Sequence, residues 1–216
     1  MQAAGEGRIW RDRCHAGDQL GERLAPHVRH HQDTTVVGIP RGGLAVAASL
    51  ASRLQLPLSC WSVQRVRAPG DGGVLGAIAP GNIQMLDEDR LQELRLSGAA
   101  LEQLVELYER RMWNDQERFG DPDPAELSHR SLILVDEGIR TGRTMGAALL
   151  SLRSLYPAAI TVAVPVGRRS AMDRLVQLAD RLVVLHPVDQ LDRLSDWFAS
   201  LPTLKETDVV ALLRAG

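Results

Sequence analysis

Two adjacent carboxylates at the end of an apolar stretch are the sharpest chemical feature of this sequence. Asp136 and Glu137 follow the apolar residues 132–135 directly. The next residues combine two glycines with two threonines and lead into a helical pattern: Gly138, Ile139, Arg140, Thr141, Gly142, Arg143 and Thr144. Glycines let the backbone approach a ligand and turn its N–H groups inward, and a helix amino terminus favours an anion. Residues 138–144 are therefore predicted to bind a phosphate group.

The acid pair indicates a different ligand group from the loop that follows it. Carboxylates repel phosphate, whereas they accept hydrogen bonds from neutral hydroxyls such as those of a ribose, or bind a metal. A sugar phosphate suits the whole motif, with Asp136 and Glu137 on the ring and residues 138–144 on its phosphate. The alternative is an ordinary strand-to-helix turn in which Thr144 is the N-cap, but the full motif is more specific than an acid pair alone.

A second candidate loop follows the apolar, β-branched residues 34–39. It begins with Pro40 and continues with Arg41, Gly42 and Gly43. A guanidinium at this place can bind a diphosphate with two parallel hydrogen bonds. The alternative is a surface turn with a solvated arginine. Ligands of doubly wound sheets bind beyond the carboxyl ends of the strands, so two loops that both follow strands are predicted to converge there.

A third candidate region covers residues 64–86. Arg65 and Arg67 precede a stretch rich in glycine and proline, which predicts a mobile loop. Residues 74–79 and 83–86 flank a turn sequence and predict a hairpin. The alternative is an ordinary solvated hairpin loop.

The elements that must position these groups alternate between strands and helices. The predicted strands are 34–39, 56–63, 131–135, 159–165 and 181–185, and the predicted helices are 18–27, 44–54, 99–119, 144–155 and 170–178. This order predicts an α/β fold with three layers, α/β/α, around a doubly wound and mostly parallel sheet, with a small hood or hairpin region. We expect one domain over residues 1–216, with a core sheet at 34–186 and a C-terminal segment at 187–216.

The composition excludes several classes of phosphate enzyme. Lys205 is the sole lysine among 25 basic residues, so 24 are arginines. A Walker A loop, a kinase or a Schiff-base enzyme each needs a lysine in a setting that Lys205 does not have. The net charge of −2 gives no positive field for nucleic acid or a membrane surface. Two cysteines make no disulfide framework, and there is no long apolar run or signal sequence, so we expect a cytoplasmic location.

The motif at residues 132–144 resembles the phosphoribosyl pyrophosphate (PRPP) signature of the type I phosphoribosyltransferases. Residues 38–43 look like the pyrophosphate loop of a bacterial subgroup that is described only as phosphoribosyltransferase. Further segments resemble the same subgroup: Trp10–Arg13 with Ala16, Gly17 and Leu20, then Ala68–Gly70, Gly76–Ile78 and Glu109–Arg111.

The resemblance implies a Mg²⁺-dependent transfer of the 5-phosphoribosyl group from PRPP to a nitrogen acceptor, a purine or pyrimidine base of nucleotide salvage, with release of pyrophosphate. Asp136, Glu137, Arg41 and Arg65 would be catalytic. PRPP would lie on Asp136, Glu137 and residues 138–144, with Mg²⁺ held through PRPP and the two carboxylates. Pyrophosphate would be bound by Arg41, Gly42, Gly43, Arg65 and Arg67.

The resemblance also implies a loop that closes over PRPP to exclude water, a cis peptide at Arg41–Gly42 and a C-terminal region near the base. Trp197 would stack on the base, although core packing is the commoner fate of such a residue. The stripe of apolar residues on helix 99–119 packs either within the chain or against a second copy in a homodimer.

The sequence departs from the subgroup in the loop region. A lysine is usual at the place of Arg65, and the acidic residue that normally follows the Ala68–Gly70 turn is missing. These departures motivate an alternative function, a PRPP-binding regulator or sensor that lacks turnover. A third interpretation is an enzyme of the same fold that acts on another sugar phosphate.

Overall fold

Apolar, β-branched segments form two sheets in this protein. The computed structural model describes residues 8–28, 31–70 and 73–215. Its strands are β1 Thr34–Gly38, β2 Leu58–Cys60, β3 Gln64–Arg67, β4 Val74–Ala79, β5 Ile83–Leu86, β6 Ser131–Val135, β7 Gly138–Ile139, β8 Ala159–Arg168 and β9 Arg181–Val188. Six of them form a sheet in the order β2-β1-β6-β8, with both β7 and β9 paired to β8, and every pair is parallel. The predicted parallel sheet is confirmed.

Helices cover both faces of the six-stranded sheet. They are α1 Arg13–Leu24, α2 Gly42–Leu54, α3 Glu88–Glu93, α4 Gly98–Phe119, α5 Pro124–Leu127, α6 Arg143–Arg153, α7 Arg169–Met172 and α8 Glu206–Ala215. Side chains alternate along β1 and β6, so that Val36 and Ile133 face α1 and α2, whereas Val37 and Leu134 face α6. The three-layer architecture is therefore confirmed. None of the helices in the described ranges has the length and hydrophobicity that a membrane span requires.

Strands β3, β4 and β5 form a separate antiparallel sheet that makes the predicted hood. Val66 and Leu75 pack on α4 through Tyr108 and Met112. Of the two interpretations of the α4 apolar stripe, these contacts support packing within the chain. The opposite face of the hood packs on α6, through Ala77 and other small residues.

The prediction that Arg65 and Arg67 lie in a loop is wrong, because both belong to strand β3. They are exposed and alternate with buried Val66, which is the period-two pattern of a half-buried strand. This pattern is short, and the stretch rich in glycine and proline that follows it in the chain favoured a loop prediction. The hairpin that follows is confirmed as β4 and β5, and its turn residue Asn82 has a φ of 58°. Asp71 and Gly72, at the centre of the predicted loop, lie outside the described residues.

Several predicted boundaries also move. Helix α1 begins five residues earlier than predicted because the Asp12 carboxylate caps it, accepting a hydrogen bond of 2.8 Å from the His15 N–H. The predicted strand 56–63 shrinks to β2, and the predicted helix 170–178 shrinks to α7 followed by turns. Helix α8 was predicted only as part of a C-terminal segment. It packs on α2 and α4, and its first residue, Glu206, reaches Arg41 at the carboxyl edge of the sheet.

Candidate functional site

The two predicted loops meet because strands β1 and β6 are neighbours in register. Gly38 pairs with Val135, the last residues of the two strands, and the Ile39 N–H donates to the Val135 carbonyl over 3.0 Å. The chain continues from these ends into the 40–43 loop and into the acid pair. The structure thus places the arginine-glycine loop directly beside Asp136 and Glu137, as the sequence predicted.

Two glycines make this contact close. A Cβ atom on Gly42 would overlap the carboxylate of Glu137. A Cβ on Gly43 would lie 2.8 Å from both Cα and Oδ1 of Asp136, which is closer than real Cβ atoms approach. Each glycine therefore faces one carboxylate, and any larger residue would displace it.

One peptide bond of this loop is cis, but not the predicted one. The cis bond joins Pro40 and Arg41, whereas the predicted position was Arg41–Gly42. The prediction was wrong by one residue. The cis bond is therefore the one that contains the Arg41 nitrogen. It lies before Arg41 in the chain instead of after it.

Glu137 is held by an arginine that was not predicted as a site residue. Arg13 Nε lies 2.6 Å from Glu137 Oε1, and both side chains are about 11% exposed. The Arg13 guanidinium also donates to the Pro202 carbonyl over 2.8 Å. The signal in the sequence was the resemblance of Trp10–Arg13 to the subgroup, since the helix that begins at Arg13 was predicted to begin at residue 18.

Asp136 is nearly inaccessible, with 4% of its surface exposed. Its Oδ1 accepts a hydrogen bond of 2.8 Å from the Glu137 N–H, and its Oδ2 lies 3.9 Å from Arg65 Nη2. Burial raises the pKa of Asp136 to about 6, opposed by the Arg65 charge and reinforced by Glu137. A hydroxyl or cation that contacts this carboxylate would favour its charged form and lower that pKa.

Two adjoining clefts open beside the acid pair. The first, here named the loop cleft, measures about 380 Å³ and is lined mainly by Arg65, Arg67, Asp136, residues 138–142, Thr144, Arg193, Leu194, Ser195 and Leu201. The second, the Arg41 cleft, measures about 450 Å³ and is lined mainly by Arg13, residues 40–42, Gln64, Arg65, Asp115, Glu137 and residues 201–204. Arg65 and Leu201 border both. These volumes fall within the range of small-molecule sites.

Most of the predicted residues border one of these clefts, with a few exceptions. Gly43 lies behind Asp136, and Arg67 borders the loop cleft instead of the Arg41 cleft. Arg143 borders a neighbouring cavity, where its guanidinium forms an ion pair of 2.7 Å with Asp87. Arg41 is half exposed, and its Nη2 lies 3.5 Å from Glu206 Oε1 on α8.

Trp197 does not border either cleft, in contrast to the predicted base stacking. Its ring lies 6.3 Å from that of Trp10 and 6.1 Å from that of His186, in an aromatic cluster that also contains Phe198. Core packing, the alternative interpretation, fits these contacts. Residues just before it in the chain, 193–195, border the loop cleft instead. They were not predicted as site residues, since no local pattern distinguishes them from other loop residues.

A parallel α/β sheet with two anion-suited loops and a buried acid pair at its carboxyl edge defines a class of proteins that bind sugar phosphates. The chain belongs to the phosphoribosyl transferase domain family, whose sequence profile matches residues 15–197. The resemblance stated from the motifs is thereby confirmed.

Individual relatives agree with this assignment. The chain is 31% identical over 213 residues to Rv0571c of Mycobacterium tuberculosis (strain ATCC 25618 / H37Rv), which bears the provisional name of phosphoribosyl transferase. The match covers 95% of this chain and 46% of that protein, so the chain spans about half the length of the curated relatives it matches. The crystal structure of TT1426 from Thermus thermophilus is similar with a TM-score of 0.74 and 32% identity, over 94% of this chain and 97% of that one.

A more distant solved structure resembles this chain in fold alone. The AQ2163 protein from Aquifex aeolicus matches with a TM-score of 0.53 and 11% identity, over 82% of this chain and 73% of that one.

Proposed function

We propose that this chain transfers the 5-phosphoribosyl group of PRPP to a nitrogen atom of a purine or pyrimidine base and releases pyrophosphate. The observation that carries the proposal is the contact between the 40–43 loop and the acid pair. This contact brings a glycine-threonine loop, two carboxylates and an arginine-glycine loop to one edge of the sheet.

The two clefts divide the substrate between them in this proposal. The 5′-phosphate lies in the loop cleft on the N–H groups of residues 138–142 and on the hydroxyls of Thr141 and Thr144. The diphosphate lies in the Arg41 cleft, where Arg41 and Arg65 bind its oxygens and Gly42 allows close approach. The ribose then spans the boundary, beside Asp136 and Glu137.

The reaction breaks the bond between C1′ and the diphosphate oxygen, and the diphosphate keeps the electron pair. The lone pair of the acceptor nitrogen forms the new bond to C1′, and the proton that this nitrogen carries passes to the released pyrophosphate or to water. Positive charge develops on the ribose during this exchange, and Asp136 and Glu137 would stabilise it and orient the ring hydroxyls. Arg13 keeps the Glu137 carboxylate in place through its 2.6 Å contact. Positioning and electrostatics suffice, and no covalent nucleophile is needed.

The acid pair also suits a magnesium ion that arrives with PRPP. Magnesium usually binds one or two protein carboxylates together with substrate phosphates and waters. Within the part of the chain that the structure describes, no three His, Cys, Asp or Glu side chains converge into a metal site of their own. Asp136 Oδ2 faces Arg65 at the long distance of 3.9 Å, so it is suited to bind such an ion. When bound, the ion would neutralise charge on the leaving diphosphate.

The acceptor base would lie against residues 193–195, which border the loop cleft and not the Arg41 cleft. We place the reaction in the cytoplasm because both Cys14, which is exposed, and Cys60 are free thiols. A role in nucleotide salvage follows if the acceptor is a free base.

One observation favours the alternative, a PRPP sensor without turnover. Both carboxylates already face a cation of the chain, since Arg13 pairs with Glu137 and Arg65 approaches Asp136. A carboxylate whose charge is already balanced stabilises a developing positive charge less strongly. The sensor would bind PRPP but leave its glycosidic bond intact.

Pyrophosphate release from PRPP and Mg²⁺, measured with a panel of purine and pyrimidine bases, tests the proposal. We expect turnover with at least one base, and its loss in the double variant D136N/E137Q with an unchanged circular dichroism spectrum. The matched control E102Q/E106Q removes two charges from the exposed face of α4 and should keep full activity. Turnover by D136N/E137Q would contradict the role of the carboxylates. Tight PRPP binding with no release on any base would favour the sensor.

A further inference from the structure

A third cavity adjoins the loop cleft on the other side of the 140–143 turn. It measures about 310 Å³, and we name it the arginine cavity because five arginines line it: Arg90, Arg140, Arg143, Arg168 and Arg174. Two aspartates, Asp87 and Asp89, lie on the same wall and leave an excess of three positive charges. The chain as a whole has a net charge of −2, so this concentration of positive charge is local.

The arginines of this cavity differ in how they are held. Arg143 pairs with Asp87 at 2.7 Å, and Arg140 donates to the Asp192 carbonyl over 3.2 Å. Arg168 ends strand β8 and Arg174 follows helix α7, and both are exposed. Within the described ranges, neither of these two guanidinium groups has an ion pair or a hydrogen bond. Two guanidinium groups without a partner in the described ranges thus face a cavity whose lining has a net positive charge.

Like charges around one concavity repel each other, and an anion that enters relieves this repulsion. Guanidinium groups present planar pairs of donors that match phosphate oxygens, and the Ser170 hydroxyl on the wall adds a neutral donor. A concave site of this volume fits a small molecule better than a flat macromolecular surface. The ligand that best matches this wall carries several negative charges close together.

We propose that the arginine cavity is a second anion site, which binds the diphosphate or triphosphate group of a small molecule. It is separate from the clefts assigned to PRPP, because the 140–143 turn stands between them and only Arg140 and Thr141 border both the loop cleft and this cavity. Asp87, which follows strand β5 of the hood, forms an ion pair with Arg143 on the wall of this cavity. The cavity therefore lies between the hood and the 140–143 turn. The proposal goes beyond the transfer reaction, which does not use Arg168 or Arg174.

The test is titration of the protein with inorganic tripolyphosphate by isothermal calorimetry. We expect R168Q/R174Q to bind it about tenfold more weakly than the wild type or more, or to lose one binding site per chain. The charge-preserving variant R168K/R174K should lose less, because it keeps the charge without the planar donor pair. The matched control R23Q/R214Q removes two exposed arginines of α1 and α8 and should bind like the wild type.

Two results would overturn the proposal. Wild-type binding by R168Q/R174Q would place tripolyphosphate in the other clefts alone. Equal weakening in R23Q/R214Q would mean that net charge, not the cavity, attracts the anion. The thermal shift caused by PRPP should persist in R168Q/R174Q, and this readout separates the second site from the proposed function. If PRPP does not bind at all, the comparison between the arginine variants still decides the proposal.

Discussion

Replacing Asp136 by asparagine is expected to raise the stability of the protein at neutral pH while it removes a carboxylate that the proposed transfer reaction requires. Asp136 is buried, and burial raises its pKa from 3.8 to about 6, against the opposing charge of Arg65. The folded protein therefore binds this proton more tightly than the unfolded chain does. As the pH rises from about 4 to 6, the unfolded chain loses the proton first, so stability falls over this range and stays reduced above it.

The size of this effect follows from the pKa values. A shift of roughly two units corresponds to about 3 kcal/mol, at 1.36 kcal/mol per unit. The full cost of about 3 kcal/mol applies at pH 7.5, and only about 1 kcal/mol remains at pH 4.5. Asparagine retains an oxygen that can accept from the Glu137 N–H, and the pKa of about 6 already includes the attraction of the charged carboxylate to half-exposed Arg65. We expect D136N to be more stable than the wild type by about 2–3 kcal/mol at pH 7.5.

Urea unfolding of both proteins at pH 7.5 and pH 4.5 measures the difference. Asp180 is a suitable control because its pKa shifts the other way. Burial opposes the shift, but hydrogen bonds from the Ile160 N–H and Arg153 hold the pKa of Asp180 below its usual value. Its stabilising effect is present above pH 4 and is lost in acid, so D180N should be less stable than the wild type at pH 7.5.

The expected cost of burying this charge is refuted if D136N is no more stable than the wild type at pH 7.5. It is refuted equally if the advantage fails to shrink by about 2 kcal/mol between pH 7.5 and pH 4.5, the change expected from a pKa near 6. Either result would mean that burial of the charged carboxylate carries little cost in this fold. A stable variant without turnover would instead identify Asp136 as a group that is kept for function at the expense of stability.

Three further variants test other contacts of the site. G42A should abolish the thermal shift caused by PRPP, because the added Cβ displaces the facing glutamate carboxylate. The control G98A, where a Cβ meets open space, should retain that shift, and a retained shift in G42A would contradict the close contact. R13M should unfold about 3–5 kcal/mol more easily in urea, since it leaves a buried carboxylate unpaired, and a cost below about 1 kcal/mol would mean that the pair is not buried in solution. S151A removes the hydroxyl that accepts a hydrogen bond from the Trp61 indole over 3.0 Å and donates one to a hood carbonyl over 2.6 Å. Thermal or urea unfolding should show that the free energy of unfolding falls by about 1–3 kcal/mol, and no change would mean that water replaces the hydroxyl.

Most of the chemistry of the site was predictable from local sequence. Asp136, Glu137 and the loop that follows were predicted because the apolar run, the acids and the glycines are adjacent in the chain and their spacing specifies a strand, a turn and a helix. Arg41 and its two glycines were predicted for the same reason. Burial on both faces also makes the strands near-continuous apolar runs, which is why the parallel sheet was predictable.

Other residues could not be assigned, because their role depends on segments far apart in the chain. Arg13 lies 124 residues from the glutamate it holds. The segment 193–195 reaches the loop cleft because β9 is parallel to β8, so the chain leaves β9 at the carboxyl edge of the sheet. Trp197 was predicted to contact the base. It lies two residues beyond the segment that borders the loop cleft, and its ring packs in the aromatic cluster instead.

The sequence by itself therefore determined which groups are present and which local elements carry them: a sugar-phosphate motif, an arginine-glycine loop and a parallel sheet. The tertiary structure decided which atoms meet. It paired Arg13 with Glu137, put Arg65 on a strand beside Asp136 and collected five arginines around one cavity. The physical reason is that helix and strand periods are written in neighbouring residues, whereas contacts across a sheet depend on strand order and register, which the whole core sets at once.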